Sequence, residues 1–258
     1  MVRSVLKAFR GRSTRVPADP PATTGVVAPP FPSHALDSGV AEVLVAHPEL
    51  VDNVRILSER LGQARSIAER RPLDAQGRPI PWYTYPAIEY LERLALEGMR
   101  IFEFGCGYST QYWCRRGASV TAVEHCREWF DEVAASFDGA HLLYRDDRDS
   151  YVGALREADA PFDVIVVDGI WREHCVDEAI ARAAPHTVIV LDNSDWYHDA
   201  GARLRAAGFL DISFSGFGPC NNYAWTTSLF FGRLRARPSI ALPPVPVGGI
   251  EAVRTDLW

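Results

Sequence analysis

The stretch Arg100–His125, RIFEFGCGYSTQYWCRRGASVTAVEH, constrains the fold more than any other part of the chain. It reads as strand, glycine loop, helix, strand and acid in one run. Ile101, Phe102 and Phe104 make a short apolar run that suits a strand buried on both faces. Gly105 and Gly107 follow at once, and Ser109 and Thr110 can cap a helix over Gln111–Arg116. Gly117 stops that helix, and Val120, Ala122 and Val123 form a second buried strand ending at Glu124. Such a run is half of a nucleotide-binding unit. Glycines let the backbone approach a ligand, and free N–H groups at the helix start face it. A carboxylate at the tip of the second strand can take both hydroxyls of a ribose, and the nineteen-residue step from Gly105 to Glu124 suits that geometry.

With 258 residues, 47% hydrophobic and 23% charged, the chain can bury one sizeable core, so a single α/β domain with attachments fits better than two domains. A net charge of −6 argues against a nucleic-acid groove. No apolar run approaches the length of a membrane span. The cysteines Cys106, Cys114, Cys126, Cys175 and Cys220 are odd in number and form no C-x-x-C pair, which favours reduced thiols and a cytoplasmic protein.

Residues 1–36 read as a basic tail (Arg3, Lys7, Arg10, Arg12, Arg15) and a proline-rich linker. The tail is a solvated end or, at helical spacing, a contact for an anionic surface; it is no secretory signal, because charges interrupt any apolar segment. Residues 37–78 suggest two helices, one capped by Asp37 and Ser38, the other over Glu49–Glu69, forming a cap that helps close a substrate pocket. The segment Pro79–Pro86 packs Trp82, Tyr83 and Tyr85 between prolines. It reads equally as a rigid lip, with Thr84 and Tyr85 as hydrogen-bonding handles, or as a hydrophobic clasp. A helix over Ala87–Glu97 leads into the first strand.

The glycine loop departs from the dinucleotide fingerprint, which places a third glycine where this chain has Thr110. The order Glu103, Gly105, Gly107 instead resembles the first motif of the class I S-adenosylmethionine-dependent methyltransferases, an acid, any residue, then Gly-x-Gly. Glu124 matches that family's ribose-binding acid. The resemblance covers about residues 80–233 and implies a Rossmann-like fold: a seven-stranded, mostly parallel sheet with an antiparallel C-terminal hairpin. It implies S-adenosylmethionine as cofactor.

Downstream, a helix over Glu128–Phe137 precedes a strand His141–Tyr144 that ends in Arg145-Asp146-Asp147. By the resemblance Asp146 or Asp147 faces the adenine amino group; capping the helix Ser150–Glu157 is the alternative. The run Phe162–Val167 is the clearest later strand and stops at Asp168-Gly169, at the carboxyl end where open α/β sheets place their chemistry. A helix Trp171–Ala184 and a strand Thr187–Leu191 follow, the latter stopping at Asp192-Asn193. Leu210–Gly216 and Thr226–Gly232 read as the closing antiparallel pair, and residues 234–258 as a proline-spaced tail. The cofactor domain is thus assigned to residues 79–233.

Asp168, Asp192 and Asn193 extend the likeness to the cation-dependent O-methyltransferases of catechols and caffeoyl esters, and Gly107-Tyr108-Ser109 is similar to the cofactor loop of the catechol enzymes. That resemblance implies Mg2+ or another hard divalent ion on the trio, lowering the pKa of an acceptor hydroxyl. Those enzymes carry a lysine three residues after the first metal Asp; here Trp171 stands there and the nearest cation is Arg172. Arginine is a poor general base but can bind an acidic substrate. Asp-Asn-Ser is also an ordinary helix start. Asp168 is expected as base or metal ligand, with His198 as an alternate base. The expected reaction is methyl transfer to a hydroxyl of a small-molecule, conjugated or saccharide acceptor. The alternatives are a nicotinamide-dependent oxidoreductase and a catalytically idle cofactor-binding protein.

Overall fold

Apolar β-branched runs such as Val164–Val167 cannot lie on a surface, and the fold buries them between two layers of helices. The computed structural model describes residues 38–157, 161–232 and 247. Its strands are β1 (Arg100–Phe104), β2 (Ser119–Glu124), β3 (His141–Tyr144), β4 (Val164–Val167), β5 (Val188–Asp192), β6 (Leu210–Gly216) and β7 (Trp225–Phe231). They form one sheet in the order β3-β2-β1-β4-β5-β7-β6. The first five are parallel, and β7 pairs antiparallel with both β5 and β6. This is the expected seven-stranded architecture with its antiparallel C-terminal hairpin.

The helices are α1 (Ser38–Ala46), α2 (Glu49–Arg55), α3 (Gln63–Glu69), α4 (Tyr85–Leu91), α5 (Tyr108–Arg115), α6 (Arg127–Ser136), α7 (Arg148–Gly153), α8 (Arg172–Arg182) and α9 (His198–Ala206). The chain divides into two compact units at Val51–Asp52. The first contributes α1 and the opening residues of α2 to the described residues; everything below belongs to the second.

Side chains alternate across β1 with the period of a strand. Ile101 packs with Tyr112 and Trp113 of α5 and with Ile88 and Leu91 of α4 on one face. Phe102 and Phe104 pack on the other with Tyr151 of α7, Val176 of α8 and Leu204 of α9. Because β2 and β4 flank β1, the connections turn in opposite directions there, and the carboxyl ends of β1 and β4 open a crevice. That switch point brings the glycine loop and Asp168 together.

Several boundaries differ from expectation. The helix read over Glu49–Glu69 is broken: α2 runs into a π-helical turn, Ile56–Arg60, closed by the Leu61 N–H on the Ile56 carbonyl (2.9 Å), and α3 starts afresh after Gly62. The helix read over Gln111–Arg116 starts three residues earlier, at Tyr108. Thr110 therefore stands inside the first turn and reaches back to the Gly107 N–H (2.9 Å), one limb of a capping box. The expected tails, residues 1–36 and 234–258, lie outside the described residues but for Val247, whose N–H donates to Glu89 (2.9 Å). The five cysteines are free thiols. Among the described residues no helix is long and apolar enough to cross a membrane.

Candidate active site at the carboxyl rim of the sheet

The glycine loop is shaped by two backbone crossings. Gly105 has φ +96°, a conformation side chains rarely allow, and its N–H donates to the Val123 carbonyl (2.8 Å). Gly169, in the loop after β4, passes so close that an added Cβ would stand 2.9 Å from the Gly105 nitrogen and 2.1 Å from the Tyr151 hydroxyl oxygen. The loop's outer side is walled by Trp129 of α6, whose indole N–H donates to the Cys106 carbonyl (2.6 Å). The Tyr108 ring lies 6.2 Å from that indole.

Glu124 turns back over this loop. Its Oε2 accepts from the Cys106 N–H (3.3 Å), and its Oε1 accepts from the N–H groups of His125 (2.9 Å) and Cys126 (2.8 Å). The imidazole Nδ1 of His125 stands 2.9 Å from Oε1. Burial works to raise the carboxyl pKa, but the His125 contact and the two backbone bonds outweigh it, and the net shift is downward. Glu124 is therefore an anion at the rim.

Glu103 behaves in the opposite way. It is buried at the end of β1, and its Oε2 accepts from the Thr110 hydroxyl (2.5 Å) while Oε1 has no partner. Burial pushes its pKa up to about 8, against the hydroxyls of Ser109 and Thr110. Nearby, Tyr83 is fully buried and its hydroxyl is likewise unpartnered. Burial raises the Tyr83 pKa, and the charges of Asp168, Glu103 and Asp192 raise it further. The sequence points to its neighbours Thr84 and Tyr85 as the hydrogen-bonding handles. Thr84 is committed to the sheet, its N–H on Thr227 Oγ1 (3.1 Å) and its hydroxyl on the Phe214 carbonyl (2.9 Å). The Tyr85 N–H donates to the Phe217 carbonyl (2.7 Å), and burial raises its phenol pKa, with only Cys220 acting on it electrostatically. Through Thr84 and the Tyr85 N–H the segment clasps the β6–β7 hairpin, and the Tyr85 hydroxyl, like that of Tyr83, is buried without a partner.

Asp192 ends β5 opposite Thr227 of β7. Its Oδ1 accepts from the Thr227 hydroxyl (2.5 Å) and the Trp225 indole N–H (3.1 Å). The sequence holds the signal for these two donors in the strand TrpThrThr, but only the antiparallel register brings them to Asp192. Burial and the Asp168 charge raise the Asp192 pKa to about 8. Asp168, less enclosed, is raised to about 6 by burial, with Arg172 opposing.

Arg172 is not the free cation expected to bind an acidic substrate. Its Nε donates to the Gly169 carbonyl (3.0 Å). One terminal nitrogen donates to the Asp192 carbonyl (2.5 Å) and Asn193 Oδ1 (2.9 Å), the other to the Asp168 carbonyl (2.7 Å) and Asp168 Oδ1 (3.0 Å). The trio expected to hold a divalent ion thus surrounds a guanidinium, with the Asp192 carboxylate bonded elsewhere; as arranged it does not fit a metal. Among the described residues no three His, Cys, Asp or Glu side chains are grouped to hold one.

The remaining candidates follow the ends of β3 and β5, and the Arg145 N–H beside Asp146 donates to the Glu124 carbonyl (2.9 Å). Asp147 Oδ1 accepts from the Ser150 N–H (3.0 Å), so it caps α7, the duller of its two readings, and Asp146 is exposed beside it. His198 is exposed on the first turn of α9, and its side chain makes no hydrogen bond or ion pair among the described residues. Trp171 is marked in the sequence only by standing where the cation-dependent O-methyltransferases carry a lysine. It holds a left-handed backbone (φ 53°) and sets its ring 5.9 Å from His125 and 5.4 Å from Tyr151. A bulky residue in that region is strained and persists only where its surroundings fix it.

No protein-family model matches the sequence, and no curated protein matches it. Solved structures resemble it in fold. The O-methyltransferase TomG from Streptomyces achromogenes, involved in tomaymycin synthesis and solved in complex with SAM, is 18% identical over 69% of this chain and 89% of its own, with a TM-score of 0.48. Precorrin-6y C5,15-methyltransferase from Geobacter metallireducens is 14% identical over 57% of this chain and 86% of its own, TM-score 0.43. A Methanococcus jannaschii fibrillarin pre-rRNA processing protein is 12% identical over 58% and 77%, TM-score 0.44. At such identities likeness concerns fold alone; the architecture rests on the strand order above.

Proposed function

We propose that the chain is an S-adenosylmethionine-dependent methyltransferase acting on a hydroxyl of a small-molecule or saccharide acceptor. The observation that carries this reading is Glu124. An ionised carboxylate bent over a two-glycine loop, 3.3 Å from the Cys106 N–H, is what a ribose diol and an adjoining cation require. The buried, unpartnered oxygens of Glu103 and Tyr83 fit a polar, positively charged ligand end, since each costs about 1–3 kcal/mol while unsatisfied. Glu103, Tyr83, the Gly105–Ser109 loop and Glu124 would hold the cofactor. Bound, it would supply an electrophilic methyl on sulfur.

The acceptor side follows from the rim beyond Asp192. Two exposed aromatic rings, Trp196 and Tyr223, lie in a chain of rings that leads to Trp225, whose indole N–H donates to Asp192. Tyr223 stands 5.9 Å from Trp225 and 6.3 Å from Trp196. Aromatic groups so placed favour an acceptor with a ring to stack. Asp168, with a pKa near 6 and a side chain 23% exposed, is the group suited to take the hydroxyl proton. The closing β6–β7 hairpin and the missing third glycine count against the nicotinamide alternative.

Calorimetric titration tests the proposal. S-adenosylmethionine should bind, NADH should not, and Glu124→Gln should weaken S-adenosylmethionine by about tenfold or more. Glutamine is preferred to alanine because three backbone N–H groups lean on this side chain. Unchanged affinity in a folded Glu124→Gln protein would sink the assignment.

A further inference from the structure

We propose that Arg172 is a built-in cation standing in an oxygen cage that would otherwise suit a divalent metal, so that this rim works without a metal ion. Five oxygens converge on it: two carbonyls and one carboxylate oxygen from Asp168 and Gly169 after β4, and the Asp192 carbonyl and Asn193 Oδ1 after β5. An all-oxygen set of carbonyls, an amide and a carboxylate is the donor chemistry of hard cations. A guanidinium carries five N–H donors, and here each has one acceptor at 2.5–3.0 Å. The fit is complete in number as well as in charge.

The cage also holds the arginine in place. Its side chain is 11% exposed, and its guanidinium carbon lies 5.0 Å from the centre of the Tyr197 ring. Asn193 adopts φ +53°, a left-handed conformation that asparagine tolerates better than most residues, while its amide oxygen takes the Arg172 bond. A metal ion entering here must displace five charge-assisted hydrogen bonds from a group that never loses its proton. The Asp192 carboxylate offers such an ion no help, because Oδ1 is bound by Trp225 and Thr227.

Arg172 is thereby a positioning residue for Asp168. It fixes Oδ1, while Oδ2 takes no hydrogen bond among the described residues and is left for an acceptor. That use of Oδ2 rests on the methyltransferase reading; the exclusion of metal does not.

Manganese electron paramagnetic resonance on the full chain, stripped with chelator and titrated with MnCl2, tests the inference. The wild-type protein should leave the free Mn2+ signal undiminished. Arg172→Met, which empties the cage, should bind one Mn2+ at least about tenfold more tightly than wild type, in the weak range typical of sites with one carboxylate. Arg172→Lys keeps a cation in the cage and should exclude Mn2+ as wild type does. Asp168→Asn placed on Arg172→Met should abolish the gained site. Circular dichroism and S-adenosylmethionine calorimetry on the same samples report folding and the cofactor reading separately. One Mn2+ bound by wild type and lost in Asp168→Asn would overturn the proposal, as would a folded Arg172→Met protein with no gain. If Arg172→Met does not fold, the wild-type and lysine titrations decide it.

Discussion

Thr227 donates its hydroxyl to Asp192 Oδ1 across the junction of β5 and β7, at 2.5 Å, and both residues are buried. The acid at the end of a parallel strand is thus held by the first antiparallel one. Thr227 Oγ1 also accepts from the Thr84 N–H, so one hydroxyl joins the clasp, the hairpin and the site. Thr227→Val, nearly the same size, should destabilise the protein by about 1–3 kcal/mol, because it leaves a buried N–H unpaired and strips one donor from a buried acid. Urea unfolding of both proteins measures this. A change below about 0.5 kcal/mol would mean the hydroxyl carries no structural role.

Glu103 should make stability fall as pH rises. Its folded pKa, about 8, lies above the ordinary carboxyl value, so the native state keeps a proton that the unfolded chain releases. The stabilisation is full below the unfolded value of about 4.3 and is lost as pH climbs towards 8, by an amount on the order of a few kcal/mol. Glu103→Gln cannot titrate. Thermal melts from pH 5 to 8 should show a fall for wild type that is shallower in this variant, the remainder coming from Asp168 and Asp192, and equal slopes would contradict the burial argument.

At Asn193 the backbone itself gives a comparison. Both Asn193→Gly and Asn193→Ala lose the bond to Arg172, but only alanine must be forced into φ +53°. Asn193→Ala should therefore be less stable than Asn193→Gly by about 1 kcal/mol. Equal stabilities in chemical denaturation would show that the left-handed turn relaxes at no cost.

The crossing of Gly169 over the glycine loop predicts a partial rescue. Gly169→Ala sets a Cβ 2.1 Å from the Tyr151 oxygen and 2.9 Å from the Gly105 nitrogen. The variant should be destabilised by about 1–3 kcal/mol. Adding Tyr151→Phe removes the first clash but not the second and should restore part of the loss. A double mutant no better than the single one would place the strain entirely on the backbone.

The sequence by itself determined the sheet's parallel core, its closing hairpin and the two-glycine loop after β1. Each depends on short-range signals: apolar runs such as Phe162–Val167, the glycines 105 and 107, and an acid at a strand's end. Those properties are local, since a buried strand or a tight turn restricts which residues it can contain. What the side chains at the rim do to one another was decided only by tertiary structure. Arg172 and the Asp168–Asn193 oxygens read as a metal trio with a spare cation until the ends of β4 and β5 meet around the guanidinium. Tyr83 and Tyr85 look alike in sequence, but the charges of the rim acids act on the Tyr83 phenol and that of Cys220 on the Tyr85 phenol. Trp225 and Thr227 find Asp192 through the strand register, from 33 and 35 residues away along the chain. Hydrogen-bond partners between strand ends are a matter of distances across the sheet, and nothing in local spacing encodes them.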